Sequence, residues 1–577
     1  MAAAAGHPFQ EGGKRLYVSR VFRNKDDTPY TGFQSSEAVV TSVAPSYNDG
    51  HARALLNPSG NPRATLFLRA RYPGSAGNLR VRFTLQVGQN ILSFDDAQQP
   101  QVGALVDRDV VLMRDIQSPL SSPPGAGTFY QAHWNEETQD WEFQRSGATL
   151  ALSRIHKSDG FEIRVVTATV TTLPIDDPSA SLVFPGLALD SAHARNGEED
   201  SLHATFRFDP LDPTLGSDVP IVIDQQDLST GLDVLDAFLA ASLTSPAMSP
   251  PLDAALEDPT STDLKRSLEV LLKGGNDGAR PTASEYEGEE IAGTTRKRGL
   301  VQFQDLEEIA IVAAPGATFG YEGGYELNAA TIINLLISHC ERMHYRIAVL
   351  DSGNGQTISQ VRALRAKIDS SYAALYYPWV KVLDPVTRQL IHLPPSGFVA
   401  GIYARNDVNR AVYKAPANEV VNLALGFEVS LNKAQQEVLN PEGINAFRVF
   451  ADRGNRLWGA RTTSSDPDWK YVNLRRYFAY LEHSIDKGTQ WAVFEPNGEA
   501  LWANVRRTIE DFLLNEWQSG ALLGDKPEKA YFVKCDRSTM TQNDLDNGRL
   551  ICLIGVAPLR PAEFVIFRIG QWTGDRK

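Results

Sequence analysis

The chain has 577 residues, of which 42% are hydrophobic and 22% charged, the composition of a folded protein with more than one domain. Its formal net charge of −14 argues against a protein that binds nucleic acid through a general positive field, so we expect no nucleic-acid partner. The three cysteines lack CxxC spacing, and no stretch approaches the about 20 apolar residues that a membrane span needs. We therefore expect reduced thiols, no metal site, assembly in the cytoplasm and no direct membrane insertion.

The first part of the chain reads as β-rich. Residues 14–22 alternate in polarity and predict a strand, and residues 65–87 predict two strands around a glycine-rich turn. Further short β-like runs, separated by turn clusters, indicate one or two inserted outer domains within residues 61–250. A helix is predicted over 227–243, and the proline- and serine-rich stretch at 251–264 is predicted to be a linker.

After this linker, apolar strands alternate with helices. Strands are predicted within 306–316, 345–355 and 373–383, and helices over 326–343 and 358–368. This alternation is typical of βαβ units and a largely parallel sheet. It predicts a central α/β domain at 265–385, followed by a mixed α/β domain at 386–577 with amphipathic helices at 471–487 and 501–517.

The stretch GFVAGIYARNDVNRAVYKAPANEVV, residues 397–421, is predicted to be a charged loop. Its charged side chains are Arg405, Asp407, Arg410, Lys414 and Glu419. No nucleophile, metal ligand or general base accompanies them, so no catalytic residue is predicted here. We interpret Arg405, Asp407 and Arg410 as residues that either fix the loop or contact another protein chain.

Two glycine-rich turns leave an enzyme as the alternative. DSGNG at 351–355 and APGATFGYEGG at 314–324 each follow a predicted strand and could aim backbone N–H groups at a phosphate. Neither has the lysine of a phosphate-binding loop, so a plain turn is the favoured interpretation. His339 and His344 are poorly spaced for one metal ion and are interpreted as surface or core residues. No cofactor or metal is predicted, and a nucleotide- or phosphate-binding α/β enzyme stays as the alternative.

Two further features point to protein partners. Residues 451–480 contain six basic residues, Arg475 and Arg476 among them, against three acidic ones. This is either a solvated face or a basic strip that meets an acidic partner. The last strand, within 561–572, is apolar on both faces, and an uncovered edge of that kind favours pairing with a neighbouring chain. Its residues are Phe564, Val565, Ile566, Phe567, Arg568 and Ile569.

Several motifs follow one another along the second half of the chain. They are LLKGGNDGARPTASEYEG at 271–288, then GLVQFQDLEEIAIVAAPG, LYYPWVKVLDP, LNPEGINAFRVFADRGNRLWGARTTSSDPDWKYVNLRRY, QWAVFEPNGEALW and APLRPAEFVIFRIGQ. In this combination and order they resemble contractile tail sheath proteins, the family of contractile phage tails, phage-like bacteriocins and extracellular contractile injection systems. The resemblance spans residues 265–572.

The resemblance implies an α/β conserved sheath core, with βαβ units plus a mixed C-terminal α/β domain, and an inserted β-rich outer region. It implies a structural subunit without catalytic residues or cofactors, which polymerises around an inner tube and contracts to drive the tube through a target envelope. The implied partners are further copies of the chain, the inner tail tube protein, and baseplate and tail terminator proteins. The particle would assemble in the bacterial cytoplasm, as a phage virion tail or a released contractile particle.

The resemblance also gives roles to particular segments. The terminal arm strand, within 558–577, would add to the sheet of a neighbouring subunit. Arg405, Asp407 and Arg410 become candidate subunit contacts, and a basic surface that includes Arg475 or Arg476 would touch an acidic tube.

The front of the chain departs from the family pattern. FQEGGKRLYVSRVF, residues 9–22, resembles a segment that full-length sheath proteins carry well inside their sequence. Residues 1–60 are therefore expected to be a remnant of the N-terminal part of the sheath core, with the N-terminal arm absent. A mis-set start would explain this, and a truncated, assembly-incompetent sheath paralogue is the remaining alternative.

Overall fold

The structure is a computed structural model of the chain, and it describes residues 11–24, 50–56, 66–115, 127–145, 147–175, 178–208, 218–224, 230–244, 251–258, 260–291, 297–384 and 388–563. The chain divides into two compact units, which we name the α/β unit and the β-rich unit. The α/β unit comprises Met1–Arg20, Thr282–Glu289 and Lys297–Lys577, and the β-rich unit comprises Val21–Pro281 and Glu290–Arg296.

The β-rich unit is built on antiparallel sheets. In spatial order, the strands of its largest sheet are Ser267–Leu271, Leu79–Asn90, Phe161–Pro174, Val110–Asp115, Thr128–Asn135, Asp140–Arg145 and Ala148–Ala151, with Leu182–Leu187 also paired to Phe161–Pro174. A second sheet contains Arg53–Leu56, Leu66–Ala70 and Ile221–Asp224, and two short pairs are Leu92–Phe94 with Pro100–Val102 and Ala194–Arg195 with Glu198–Glu199. The helices are Leu202–Phe206, Gly231–Thr244 and Leu252–Glu257.

Apolar side chains that point alternately to the two sides of the strands form a core on each face of the largest sheet. In the strand Val110–Asp115, Val110 lies in the larger apolar cluster of the unit and Val111 in a smaller one. Successive side chains of a strand point to opposite faces, so a single strand can feed both clusters. The larger cluster is closed by the helix Gly231–Thr244, whose Phe238 ring lies 4.9 Å from the Phe83 ring, centroid to centroid.

The boundary between the units differs from the predicted limits. The strand Ser267–Leu271 pairs with Leu79–Asn90, so the β-rich unit continues to Pro281 rather than ending near residue 250. The stretch expected to be a linker, 251–264, contains the helix Leu252–Glu257. Its buried residues are Leu252, Ala255 and Leu256, at positions i, i+3 and i+4. That spacing places them on one face of the helix, which packs into the unit despite the prolines around it.

Of two short elements predicted from the sequence, the structure confirms the helix and contradicts the strand. The helix predicted over 227–243 is confirmed as Gly231–Thr244. The strand predicted over 14–22 is wrong, because these residues join no strand ladder of the described chain. In the α/β unit, the segment is docked instead by side chains: the Arg15 guanidinium lies 3.0 Å from the Glu308 carboxylate, and the Ser19 hydroxyl donates to the Gly299 carbonyl at 3.1 Å.

The α/β unit contains a sheet that is parallel at its centre. Its strands, in spatial order, are Ile311–Ala313, Ile347–Asp351, Ala373–Tyr377, Ile444–Phe450, Gly454–Leu457 and Glu419–Val420, and the first four are mutually parallel neighbours. A second sheet contains Leu390–Leu393, Val380–Leu383 and Gly426–Phe427. Tyr531–Lys534 and Leu553–Val556 form a separate antiparallel pair, which we name the C-terminal hairpin.

Helices connect these strands. They are Ala283–Glu287, Glu326–Met343, Ile358–Arg365, Pro395–Asn409, Lys433–Leu439, Val472–Thr489, Glu499–Gln518, Pro527–Ala530 and Gln542–Asp546. The helix predicted over 326–343 and both predicted amphipathic helices are confirmed. None of the helices among the described residues combines the length and apolar character that a bilayer crossing requires.

The burial of the central strands explains why they can be predicted from the sequence. Every residue of Ile347–Asp351 and Ala373–Tyr377 is buried, as expected for parallel strands covered on both faces. The single strand predicted over 373–383 is divided in two, because Pro378 follows Tyr377 and the next strand, Val380–Leu383, belongs to the second sheet. Proline has no N–H to donate to a strand ladder.

Candidate subunit-contact region

The charged stretch 397–421 begins inside a helix, not a loop. The helix Pro395–Asn409 starts with proline at its first turn and is buried along most of its length. A helix surrounded by protein needs no polar face, so the usual apolar periodicity is missing. Gly397 and Gly401 lie on this helix and are buried. Because glycines are frequent in loops, their presence in the sequence favours the prediction of a loop. The predicted loop is therefore wrong for residues 397–409.

The start of this helix binds an internal carboxylate. Asp351, the last residue of the strand Ile347–Asp351, accepts hydrogen bonds from the backbone N–H of Ser396 at 2.6 Å and from its hydroxyl at 2.8 Å. A helix N-terminus favours a negative charge. Burial nevertheless raises the pKa of Asp351 to about 7, against the hydrogen bonds from Ser396 that act to lower it.

The glycine-rich turns are occupied by the chain's own groups. The N–H of Gly353 donates to the Gln356 side chain at 2.9 Å, and the N–H of Gly320 donates to Asn354 at 2.5 Å. The Ser352 carbonyl accepts from the Trp379 indole at 2.8 Å. The Gly320–Asn354 bond joins the two turns, and the N–H groups of Gly320 and Gly353, which a phosphate ligand would use, are already bonded within the chain.

His339 is a core residue, one of the two interpretations that the sequence left for it. It is buried, and its Nε2 lies 2.8 Å from the Arg346 guanidinium. Burial lowers the pKa of His339 to about 4, and the positive charge of Arg346 adds to that effect. Within the described ranges, no three His, Cys, Asp or Glu side chains are grouped so that they could hold a metal ion.

Arg405 is the partner of a buried glutamate. Its Nη1 lies 2.6 Å from the carboxylate of Glu11, which is fully buried, and 3.0 Å from the Glu11 carbonyl. The side chain of Asn422 and the N–H of Leu423 also donate to this carboxylate, at 3.2 and 3.4 Å. Burial raises the pKa of Glu11, although Arg405 acts to lower it. Arg405 therefore fastens the segment that begins at residue 11 to the α/β unit.

Gly12 shows how closely this segment approaches the helix. Its φ is +119°, and a Cβ atom added there would lie 2.8 Å from the Cβ of Arg405. Only glycine meets both conditions without strain. The close contact with Arg405 therefore explains why the first glycine of the motif FQEGGKR, Gly12, is a glycine.

Asp407 and Arg476 pair with each other inside the chain. The two carboxylate oxygens of Asp407 lie 2.9 and 2.5 Å from the Arg476 guanidinium, which also lies 4.7 Å above the Tyr403 ring. Burial acts to lower the pKa of Arg476, but the charge of Asp407 outweighs it and raises that pKa. The side chain is buried, with 6% of the residue exposed.

Arg475 is buried as well. Its guanidinium lies between the rings of Tyr372 and Trp469, at 4.5 and 4.3 Å from their centroids, and 2.9 Å from the Glu482 carboxylate. Neither Arg475 nor Arg476 contributes to a basic surface of this structure, which corrects the expectation that they face a tube. Of the five candidate contacts, Arg410 at the end of the helix Pro395–Asn409 is exposed.

The sequence pattern does not predict a structural role for Glu563, but the structure shows one. Its carboxylate accepts from the Arg461 guanidinium at 2.7 and 2.6 Å and from the Asn440 side chain at 2.6 Å. The Tyr471 hydroxyl adds a bond at 3.1 Å. Burial acts to raise the pKa of Glu563, but these donors, Arg461 first, hold it below its usual value. The signal in the sequence is an isolated acid directly before the predicted apolar strand.

The predicted arm strand begins at the next residue. Phe564 to Ile569 lie outside the described residues, so that strand stays a prediction.

The C-terminal hairpin presents apolar side chains to solvent. Phe532, Leu553 and Ile554 are 59%, 51% and 37% exposed. A Cβ atom on Gly555 would lie 2.1 Å from the Phe532 ring, so the aromatic ring covers the glycine opposite it. Within the part of the chain that the structure describes, these two strands pair with no third strand.

Comparison with known proteins identifies two consecutive family regions. Residues 301–463 match the central domain of phage tail sheath proteins, and residues 464–571 match the phage tail sheath C-terminal domain. A prophage major tail sheath protein of Pseudomonas aeruginosa is 26% identical over 238 residues, which cover 40% of this chain and 59% of that protein. The tail sheath protein of Enterobacteria phage T4 is 26% identical over 207 residues, 34% of this chain and 30% of that protein.

Solved sheath structures are similar as well. The helical sheath of the anti-feeding prophage in its contracted state is 37% identical, with 47% of this chain and 72% of that chain covered and a TM-score of 0.41. The contracted sheath of the extracellular contractile injection system PVC is 35% identical, with 42% and 69% covered and a TM-score of 0.39. The chain spans 59% or less of the length of the two curated relatives named above. On the two family regions and these relatives, the chain belongs to the contractile tail sheath protein family.

Proposed function

We propose that this chain is a structural subunit of a contractile tail sheath. Copies polymerise around an inner tube, and contraction of the assembly drives the tube through a target envelope. The observation that carries the proposal is the exposed apolar C-terminal hairpin, a sheet in which no third strand pairs with the two strands among the described residues.

The hairpin has the properties of a receiving sheet. The hairpin packs into the apolar cluster of the helix Glu499–Gln518, and an unpaired strand edge favours the addition of a third strand. Phe532 and Leu553 are apolar, exposed and on the same face of the hairpin, so the apolar side chains of an added strand would lie beside them. Backbone hydrogen bonds would give such an addition its affinity, and side-chain contacts its register.

The proposed occupant is the arm strand of a second copy. Phe564, Val565, Ile566, Phe567 and Ile569 supply apolar side chains on both faces of that strand. Glu563 is the last described residue of the predicted arm, 558–577, and its bonds to Arg461, Asn440 and Tyr471 would anchor the arm to its own subunit. Each subunit would thus hold its own arm at Glu563 and its neighbour's arm at the hairpin.

The remaining partners follow from the family. Solved relatives include the baseplate and the helical sheath of the anti-feeding prophage. We propose further copies, the inner tail tube protein, and baseplate and tail terminator proteins as partners, with Arg410 as a candidate contact. Assembly in the bacterial cytoplasm into a phage tail or a released particle is proposed, and no enzymatic activity. The outward position of residues 61–250 stays a prediction.

The test removes the arm and leaves its anchor. The full chain and a chain ending after Glu563 are each produced together with the tube protein of the same particle, and assembly is followed by electron microscopy. We expect the shortened chain to stay soluble and folded, with an unchanged melting temperature, while it builds no sheath. A second variant, Phe532→Asp, keeps the arm and alters the receiving hairpin, and it should give the same loss of assembly.

The outcomes separate the alternatives. Contractile tubes built by the shortened chain would show that the arm is not the link between subunits. A full chain that remains monomeric beside its tube, while a longer sheath relative assembles, would favour the assembly-incompetent paralogue.

A further inference from the structure

Two free cysteines stand opposite each other at one end of the C-terminal hairpin. The last pair of the ladder is Lys534 with Leu553, so the next residues on the two strands, Cys535 and Cys552, face each other. At the other end, the N–H of Ala557 donates to the Ala530 carbonyl at 2.8 Å. Hydrogen-bonded and non-hydrogen-bonded pairs alternate along an antiparallel ladder.

Counting from that bond places the cysteines at a non-hydrogen-bonded pair. The Cα atoms of such pairs are about 4.5 Å apart and their side chains approach most closely. Disulfides form between residues whose Cα atoms are about 4.4 to 6.8 Å apart. The backbone of the hairpin therefore needs no rearrangement to accept a disulfide here.

The side chains confirm the proximity that the register implies. Both residues belong to one apolar cluster, with Cys535 buried and Cys552 half-buried. Burial raises the pKa of Cys552 to about 12, and the adjacent Cys535 thiol raises it further by charge and by the hydrogen bond between them. The third cysteine, Cys340, is buried in the helix Glu326–Met343 and has no part in this pair.

We propose that Cys535 and Cys552 are a redox site, which closes to an intramolecular disulfide when the chain meets a low-molecular-weight disulfide such as glutathione disulfide. In a reducing cytoplasm both stay thiols, as the sequence predicts. After release into an oxidising medium, the bridge forms and ties the two strands of the hairpin at this end.

The chemistry is two successive thiol–disulfide exchanges. Cys552, the more accessible thiol, loses its proton, and its sulfur attacks one sulfur of the small disulfide, whose S–S bond breaks and releases one thiolate. Cys535 then loses its proton and attacks the Cys552 sulfur of the mixed disulfide, which releases the second thiolate. Two protein thiols are oxidised by two electrons, and one small disulfide is reduced to two thiols.

Closure has a consequence for the hairpin. The bridge joins the ends of the connection that carries the helix Gln542–Asp546, so strand separation at this end is no longer possible without reduction. Under the proposed function this is the sheet that receives an arm, and the bridge would hold its two strands in register. The thiol chemistry itself concerns the single chain and does not depend on assembly.

The test counts thiols in the full-length chain. The folded protein is incubated with glutathione disulfide, the remaining thiols are alkylated, and the intact mass and tryptic map are recorded without reduction. We expect two of the three thiols to be lost, so that the chain carries one alkyl group instead of three and is otherwise lighter by two hydrogen atoms. The map should show the peptide Cys535–Arg537 linked to the peptide that begins at Leu550, because trypsin cleaves after Lys534, Arg537 and Arg549.

Matched variants and conditions sharpen the result. Cys340→Ser should form the same bridge, Cys552→Ser should form none, and dithiothreitol should restore all thiols. Formation should be faster at alkaline pH, because the thiolate is the attacking species. Three remaining thiols, a bridge that involves Cys340, or glutathione adducts without a bridge would each overturn the proposal. The peptide map of the unaltered chain decides the matter even where a variant folds poorly.

Discussion

The carboxylate of Glu11 and the guanidinium of Arg405 form an ion pair with 2.6 Å between Oε2 and Nη1, across 394 positions of the chain. The carboxylate is fully buried, while the Arg405 side chain keeps 17% of its surface exposed. This contact joins the FQEGGKR motif to the charged stretch at 397–421. Arg405 in that charged stretch therefore stabilises a contact within the α/β unit.

Replacing Arg405 should loosen the N-terminal segment. Arg405→Ala leaves the Glu11 carboxylate buried without its cation, and breaking a buried pair destabilises by about 3 kcal/mol or more. We expect a lower urea midpoint and faster proteolysis near residue 11. Arg410→Ala removes an exposed arginine just after the same helix and is the matched control, which should leave both measurements unchanged. Equal behaviour of the two variants would contradict a structural role of Arg405.

Replacing Asp407 should destabilise the α/β unit through Arg476. Asp407→Ala leaves a buried guanidinium without its carboxylate, and about 3–5 kcal/mol is expected from the unpaired charge. Urea unfolding measures the effect, with Asp452→Ala at an exposed turn as the control. The double variant Asp407→Ala/Arg476→Leu should recover part of the loss, since no unpaired charge remains. Strictly additive losses would show that the two residues do not interact.

Glu563 should make the anchor of the arm sensitive to acid. Its folded-state pKa is held below the usual value of 4.5, chiefly by Arg461 against the effect of burial, so the carboxylate contributes stability above about pH 4.5. That contribution is lost as the pH falls through the lowered pKa. Glu563→Gln should therefore be less stable than the unaltered chain at neutral pH, and the two should converge in acid.

The measurement is the urea midpoint of both proteins between neutral pH and acid pH. Glu528→Gln, an exposed residue of the helix Pro527–Ala530, is the control and should follow the unaltered chain throughout. A difference between Glu563→Gln and the unaltered chain that stays constant with pH would rule out the proposed linkage.

Asp351 should have the opposite pH dependence. Burial raises its pKa from 3.8 to about 7, so the folded chain binds the proton more tightly than the unfolded chain does. Stability from this group then falls as the pH rises from about 4 to about 7, at about 1.4 kcal/mol for each unit of the pKa difference. Asp351→Asn cannot ionise, so its stability relative to the unaltered chain should increase over that range. Parallel pH profiles of the two proteins would contradict the raised pKa.

Local patterns in the sequence are enough to predict the helices and strands that have one apolar and one polar face, or that are apolar throughout. The helices Val472–Thr489 and Glu499–Gln518 carry an apolar stripe, and the helix Glu326–Met343 and the strands beside it are read from continuous apolar runs. The ordered motifs also led to the sheath family, because motif order is a property of the chain itself. In each case the information lies within a few turns of a helix or the length of a strand.

Other features depended on neighbours that are far away in sequence. The sequence predicts a loop where the helix Pro395–Asn409 lies, because the helix is buried on most sides and lacks the apolar periodicity that marks a surface helix. The strand predicted over 14–22 has the right alternation, but no partner strand pairs with it in the described chain. A segment with high strand propensity forms a β-strand only where a partner strand is available to pair with it.

The amino-acid sequence by itself determined the family, and the helices and buried strands with a clear period. Only the tertiary structure decided that Arg475 and Arg476 are buried, that Glu563 is an anchor, and that Cys535 faces Cys552. Periodicity is local and can be read along the chain. Charge pairing, burial and cross-strand register depend on which distant residues the fold brings together, and spacing in sequence does not contain them.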